Sequence, residues 1–385
     1  MPIQLTTFER RVAEKLAAIK KQSGSHSPSP AMLAGIKGVA VEHDFCFLSN
    51  PHATDLFLKY WKRDFGDVRR MRKLVEPYPS QNRTLAQKLV RSAEVPAENI
   101  FVGNGATEII QAVLQNFTVK RILVPIPTFS PYLEFAPKGV KILHHKLQKG
   151  KQFTLSPNNF IANVRKEKPD TVVIINPNNP DGGYINHVKL RALLQALCRV
   201  PTVAVDESFA HFAGEQMYSA SRFVKTYPNL IVIKSLSKDF GIAGLRLGYA
   251  VMSEKRIAAL LRRGYLWNVS GFGEYFLGLL DDAVFMREYE RARLRAIRER
   301  DEFFSKLSRI SGMKAYTSRA NMFLLELMNG SCADDLMVRL LVKHGIYIRT
   351  CYDKVGLSGE FVRIASRGGE ENNRLVQALA RILSE

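Results

Sequence analysis

The chain has 385 residues, 46% of them hydrophobic, enough to bury a large core divided between two domains. Its 56 basic and 36 acidic residues give a net charge of +20, which favours anionic partners, but the bases are dispersed, so a small anionic substrate is expected rather than nucleic acid. No run nears the ~18 apolar residues of a membrane span. The start lacks an apolar leader, and Cys46, Cys198, Cys332 and Cys351 form no C-x-x-C pair, which predicts a cytoplasmic protein with reduced thiols and no metal.

Residues 1–20 have the pattern of a short amphipathic helix, with Thr6 and Glu9 as a capping box and Phe8, Val12, Leu16 and Ile19 along one stripe. The Ser- and Pro-rich stretch 21–30 reads as a linker. From about 100 to 250, apolar strands ("RILVP" at 121, "TVVIIN" at 171, "TVAVD" at 202, "LIVIK" at 230, "LGYAV" at 247) alternate with helical stretches. That rhythm predicts an α/β fold with a mostly parallel sheet covered by helices. Past about 280, "REYERARLRAIRER" is expected to be a solvated helix face, and "MFLLEL", "IYIR" and "FVRIA" predict a smaller α+β domain. The expected divisions are 1–43 as an N-terminal extension, 44–95 as an arm and part of the small domain, 96–275 as the large domain, and 276–385 as the small C-terminal domain.

Ligands of an open α/β sheet sit at the carboxyl ends of its strands. Those ends read "GNGATE" (103–108), "PTFSPY" (127–132), "NPNNPDGG" (176–183), "DESF" (206–209) and "SLSK" (235–238). The set suits pyridoxal phosphate, which needs a lysine to form an imine, an acid to hold its ring nitrogen protonated, and a phosphate cradle. Lys238 is the candidate amine and Asp206 the acid. Gly105, Ala106 and Thr107 would open a helix toward the phosphate, joined by Ser235, Ser237 and Arg246, while Phe129 would stack on the ring and Asn179 would reach its hydroxyl. "GNGATE" has Glu108 where a dinucleotide fingerprint requires a third glycine, and adjacent His144 and His145 would point to opposite sides of a strand, a poor metal pair.

With Asn179-Pro180, Asp206, Ser235-x-Ser237-Lys238 and Arg246 in that order, the chain resembles the fold-type I, class I/II aminotransferase superfamily over roughly residues 44–385. Within it the chain is similar to histidinol-phosphate aminotransferases and, more closely, to the threonine-phosphate decarboxylase of cobalamin synthesis. The resemblance implies the aspartate aminotransferase type of fold and a homodimer. It also implies that Arg363 in "FVRIA" clamps the substrate α-carboxylate, that Arg349 in "IYIRTC" meets a distal phosphate, that Tyr78 crosses the dimer interface to the neighbour's cofactor phosphate, and that Asn50 lies on the substrate side. Phe209 departs from the usual tyrosine, Ser270 from the usual asparagine, and the stretch from Asn50 to Tyr78 follows the relatives loosely. The expected activity is decarboxylation of a small O-phospho-amino acid, phosphothreonine or phosphoserine. The alternatives are transamination of the histidinol-phosphate kind and, more remotely, a non-catalytic or nucleic-acid-binding protein of the same fold, against which the intact Lys238 argues.

Overall fold

A computed structural model describes residues 2–23, 27–214, 216, 218–265 and 267–384. Helix α1 (Thr7–Ser23) opens with the expected capping box: Glu9 Oε2 accepts from the Thr6 amide at 2.7 Å and Thr6 Oγ1 from the Glu9 amide at 3.3 Å. Val12 and Leu16 are buried as predicted, but Phe8 is 44% exposed, so the buried stripe is narrower than the sequence pattern. Of the expected linker, residues 24–26 lie outside the described residues. Its end is fastened, with Pro28 buried and its carbonyl accepting from the Tyr347 hydroxyl at 3.3 Å.

The strands are β1 (His43–Asp44), β2 (Ile100–Gly103), β3 (Arg121–Ile126), β4 (Lys141–Lys146), β5 (Thr171–Ile175), β6 (Thr202–Asp206), β7 (Leu230–Ser235), β8 (Gly248–Val251), β9 (Met313–Ala315), β10 (Met322–Leu327), β11 (Ile346–Tyr347), β12 (Arg349–Thr350) and β13 (Phe361–Ala365). The main sheet runs β2-β8-β7-β6-β5-β3-β4, and β8 alone is antiparallel to its neighbours. Both faces of its central strands are covered, which is why they read as unbroken apolar runs. Val172 and Ile174 enter the apolar cluster on one face, Val173 and Ile175 that on the other. The crossover order β5-β6-β7 brings the carboxyl ends of those strands side by side, and with them Asp206 and the Ser235–Lys238 turn.

Helix α2 (Pro51–Phe65) and the segment from Leu85 to Val95 pack into the large-sheet core, through Leu56, Phe57, Tyr60, Leu85 and Leu89. Helix α3 (Gly105–Phe117) covers the opposite face. The smaller sheet, β12-β13-β10-β9, carries its own core, lined by α5 (Ala333–His344) and joined by Ile3, Val12, Leu16, Leu33, Ile36 and Val39 of the first 43 residues. Helix α4 (Ala283–Leu307) sends Phe285 and Tyr289 into the large core and Phe303 and Leu307 into the small one.

The solvated face expected of α4 needs correction. Arg293 and Arg300 are 0% and 1% exposed. They fall in register with Phe285, Tyr289, Ile297, Phe303 and Leu307, on the stripe that a helix of 3.6-residue period buries. Their guanidinium groups donate to backbone carbonyls of the loop after β6: Arg293 Nη1 to His211 O and Gly214 O, both at 2.8 Å, and Arg300 Nη1 to Phe212 O.

Candidate active site

A small cavity at the carboxyl ends of β5, β6 and β7 is lined by Ala106, Thr107, Phe129, Asn179, Asp206, Ser208, Phe209, Ser235, Ser237, Lys238 and Arg246. A wider groove of about 520 Å³ elsewhere is lined by Tyr184, His187, Tyr218 and Arg222 among others, and among the described residues no lysine or carboxylate lines it.

Gly105 begins α3 with φ of +80°, and a Cβ on it would stand 2.5 Å from Arg246 Nη2, so only glycine lets the guanidinium lie against the helix start. Glu108 steadies this turn, accepting from the Asn104 amide at 2.6 Å and from Asn268 Nδ2 at 2.8 Å. Arg246 has φ of +52°, a left-handed conformation uncommon outside glycine, and its Nη1 donates to Ala243 O at 3.0 Å. Ser237 Oγ is buried and has no hydrogen-bond partner among the described residues. Free helix amides, two serine hydroxyls and a guanidinium thus converge, and the orphaned Ser237 hydroxyl calls for an acceptor. A phosphate group meets that need.

Asp206 is buried at the end of β6, where Oδ2 accepts from the Tyr132 hydroxyl and Oδ1 from the Ser208 amide, both at 2.9 Å. Burial pushes its carboxyl up, while Ser208, Tyr132 and the Lys238 charge pull the other way. Burial draws the Lys238 amine down to about 8, with Arg246 and Arg363 adding to the effect. Its turn is clamped from behind: the Asn50 amide donates to Lys238 O at 2.9 Å, and Gly241, at φ of +65°, sits so close that a Cβ would stand 2.4 Å from Asn50 O. The acid, the amine near its titration point and the phosphate donors fit pyridoxal phosphate.

The substrate side is built by the small sheet. Arg349 and Arg363 are directly opposed on β12 and β13, so both side chains leave the same face. Arg363 Nη1 donates to Asn179 Oδ1 at 3.0 Å and Nη2 to Cys46 O at 2.6 Å, which ties β13 to the cavity. Arg349 Nη2 meets Asp353 Oδ2 at 2.7 Å.

Asn50, Tyr78 and Ser270 lie outside the lining of this cavity. The Asn50 side chain is engaged in capping α2 and in donating to Asp239 O at 3.2 Å, so it supports the Lys238 turn. Tyr78 is 83% exposed, its ring 5.4 Å from that of Trp267. Ser270 caps the helix Gly271–Leu279, accepting from the Gly273 amide at 3.2 Å. Among the described residues no cluster could hold a metal ion, and the four cysteines are free.

Tyr132, Ser208, Ser130 and Lys354 were not anticipated. The first three stand within two or three residues of Phe129 or Asp206 in turns whose residue types already mark them as polar strand ends. Lys354 lies in a loop, where no periodicity points to it.

The model of the family described as aminotransferase class I and II matches residues 68–382. This chain belongs to that family. The class I and II aminotransferase fold comes with pyridoxal 5'-phosphate as cofactor, the group that the cavity fits. Over 390 aligned positions the chain is 46% identical to an L-serine phosphate decarboxylase of Campylobacter jejuni, with both chains covered in full. It is 44% identical to an L-serine phosphate decarboxylase of Sulfurospirillum multivorans over 373 positions, 96% of this chain and 95% of that one. A solved structure of a decarboxylase from Sulfurospirillum multivorans superposes with a TM-score of 0.93 at 43% identity, covering 98% of this chain and 97% of the other.

Proposed function

We propose that this family member removes the carboxylate of a small O-phospho-amino acid, with L-serine phosphate as the substrate, and works as a cytoplasmic homodimer. The observation that carries the reading is the opposed pair Arg349 and Arg363, two guanidinium groups on one face beside the Lys238 cavity, suited to a substrate with an anion at each end. The similarity to two L-serine phosphate decarboxylases favours phosphoserine over phosphothreonine.

Bound pyridoxal phosphate supplies an electron sink for the pair released at Cα. Arg363 would grip the α-carboxylate and Arg349 the phosphate end; anchoring both ends fixes which bond at Cα is presented for cleavage. Lys238 Nζ, with its amine poised near pH 8, would return a proton to Cα. Asp206, held by Tyr132 and Ser208, would supply the fixed negative charge that keeps the ring nitrogen of the cofactor protonated. Phe209 walls the cavity without a hydroxyl to donate.

Tyr78, exposed on a segment pinned by Ser80 to Glu274 at 2.7 and 2.8 Å, would reach the cofactor phosphate of a second subunit. Sedimentation of the purified protein as a dimer supports this; a monomer that retains full cofactor affinity overturns it.

The reaction is tested by supplying O-phosphoserine to the cofactor-loaded enzyme without any 2-oxoacid. Release of carbon dioxide and O-phosphoethanolamine is expected. Turnover that requires a 2-oxoacid would assign transamination instead.

A further inference from the structure

Resting on that reading, we propose that Lys354 is a ligand of the substrate phosphate and the residue that selects phosphorylated over plain amino acids. Arg349, Arg363 and Lys354 lie close enough to act on one another's charge. Arg363 is bonded to Asn179 and the Cys46 carbonyl, at the end where the carboxylate is placed. Arg349 is in contact with Asp353, and that pair carries no net charge. A phosphate dianion therefore needs a further cation.

Lys354 meets the requirement. The residue is 8% exposed, and among the described residues its amine makes one hydrogen bond, at 2.5 Å, to the neutral Ser130 hydroxyl beside Phe129. Asp353 Oδ2 stands 3.9 Å away, beyond hydrogen-bonding distance. An ammonium with three donors and a single neutral acceptor is costly to bury, and burial draws this one down to about 8. An arriving phosphate would satisfy it. Its loop is preset: the Lys354 amide donates to Cys351 O at 3.0 Å, and Gly356, at φ of +92°, sits where a Cβ would stand 3.1 Å from Ile126. Ser130 follows β3 of the large sheet and Lys354 follows β12 of the small one, so the amine lies where loops of the two sheets meet, next to the cavity-lining Phe129.

The test compares wild type, Lys354→Met and Ser130→Ala as cofactor-loaded enzymes, with calorimetric affinities for O-phosphoethanolamine and inorganic phosphate, and with L-serine binding followed by cofactor absorbance. Lys354→Met should weaken both phosphate ligands by ten- to a hundredfold, the scale of one charge-assisted hydrogen bond, and leave L-serine binding within about twofold. Equal phosphate affinity in Lys354→Met and wild type overturns the proposal. Ser130→Ala keeps the amine and removes its present acceptor, so it should bind both phosphate ligands at least as tightly as wild type. A tenfold loss there would make Lys354 a strap between lobes and also overturn it, even if Lys354→Met fails to fold. Absence of carbon dioxide release from O-phosphoserine by wild type would sink the decarboxylase reading while leaving the affinity comparison intact.

Discussion

The Tyr132 hydroxyl donates to Asp206 Oδ2 at 2.9 Å, and both residues are buried. This bond favours the charged carboxylate, so Tyr132→Phe should raise the Asp206 pKa beyond the upward push that burial already gives it. A carboxyl whose folded pKa is raised lends stability that is complete below its unfolded pKa and is lost as pH climbs through the folded one. The cofactor-free Tyr132→Phe protein should therefore be less stable than wild type by roughly 1–2 kcal/mol at pH 8 and by less at pH 4. Urea midpoints at the two pH values measure the difference; a gap that widens on acidification contradicts it.

Lys238 offers a kinetic prediction. Only its neutral amine is a nucleophile, and burial with the neighbouring Arg246 sets its pKa at about 8. Uptake of pyridoxal phosphate by the cofactor-free protein, followed by absorbance in stopped flow, should accelerate with a midpoint near that pH. Arg246→Gln removes a charge that depresses the amine, so its midpoint should move to higher pH. A midpoint that stays in place would mean that the guanidinium does not act on Lys238.

Ser237 separates cofactor binding from stability. Its buried Oγ has no partner among the described residues, so Ser237→Ala removes no internal hydrogen bond and should leave the melting temperature of the cofactor-free protein within about a degree. Cofactor affinity should nevertheless fall about ten- to a hundredfold, the worth of one hydrogen bond to a charged acceptor. Equilibrium dialysis gives the affinity, and an unchanged value would place the hydroxyl outside the phosphate cradle.

Two arginines of α4 should behave oppositely. Arg293→Ala strands the His211 and Gly214 carbonyls without their donor, at a cost of roughly 2–4 kcal/mol. Arg295, whose side chain is 60% exposed and pairs with Glu299, should cost under ~0.5 kcal/mol when replaced by alanine. Chemical denaturation of both variants decides; comparable losses would mean that burial is not what distinguishes them.

Most of the sheet and the cofactor cavity were legible because their physics is local. Strands buried on both faces show as unbroken apolar runs, and a ligand at their ends leaves polar residues next to each run, as Asp206 at the end of β6 and Lys238 after β7. What stayed hidden depended on partners distant in sequence. Arg293 and Arg300 looked like surface charge because only tertiary contact shows a helix face to be covered, although their spacing with Phe285, Tyr289 and Ile297 carried the signal. The packing of residues 1–43 on the small core likewise rests on contacts more than 300 positions away, such as Glu9 with Arg339 at 2.6 Å. Lys354 gains meaning only when its loop is brought against Ser130.

Helix α4 is one rigid beam shared by two lobes, with aromatic rings of its first half sunk in one and of its second half in the other. Neither lobe can melt and leave the other its full wall. The protein should therefore denature in a single cooperative step, and any movement of one lobe against the other must come from bending around this beam rather than from parting at it.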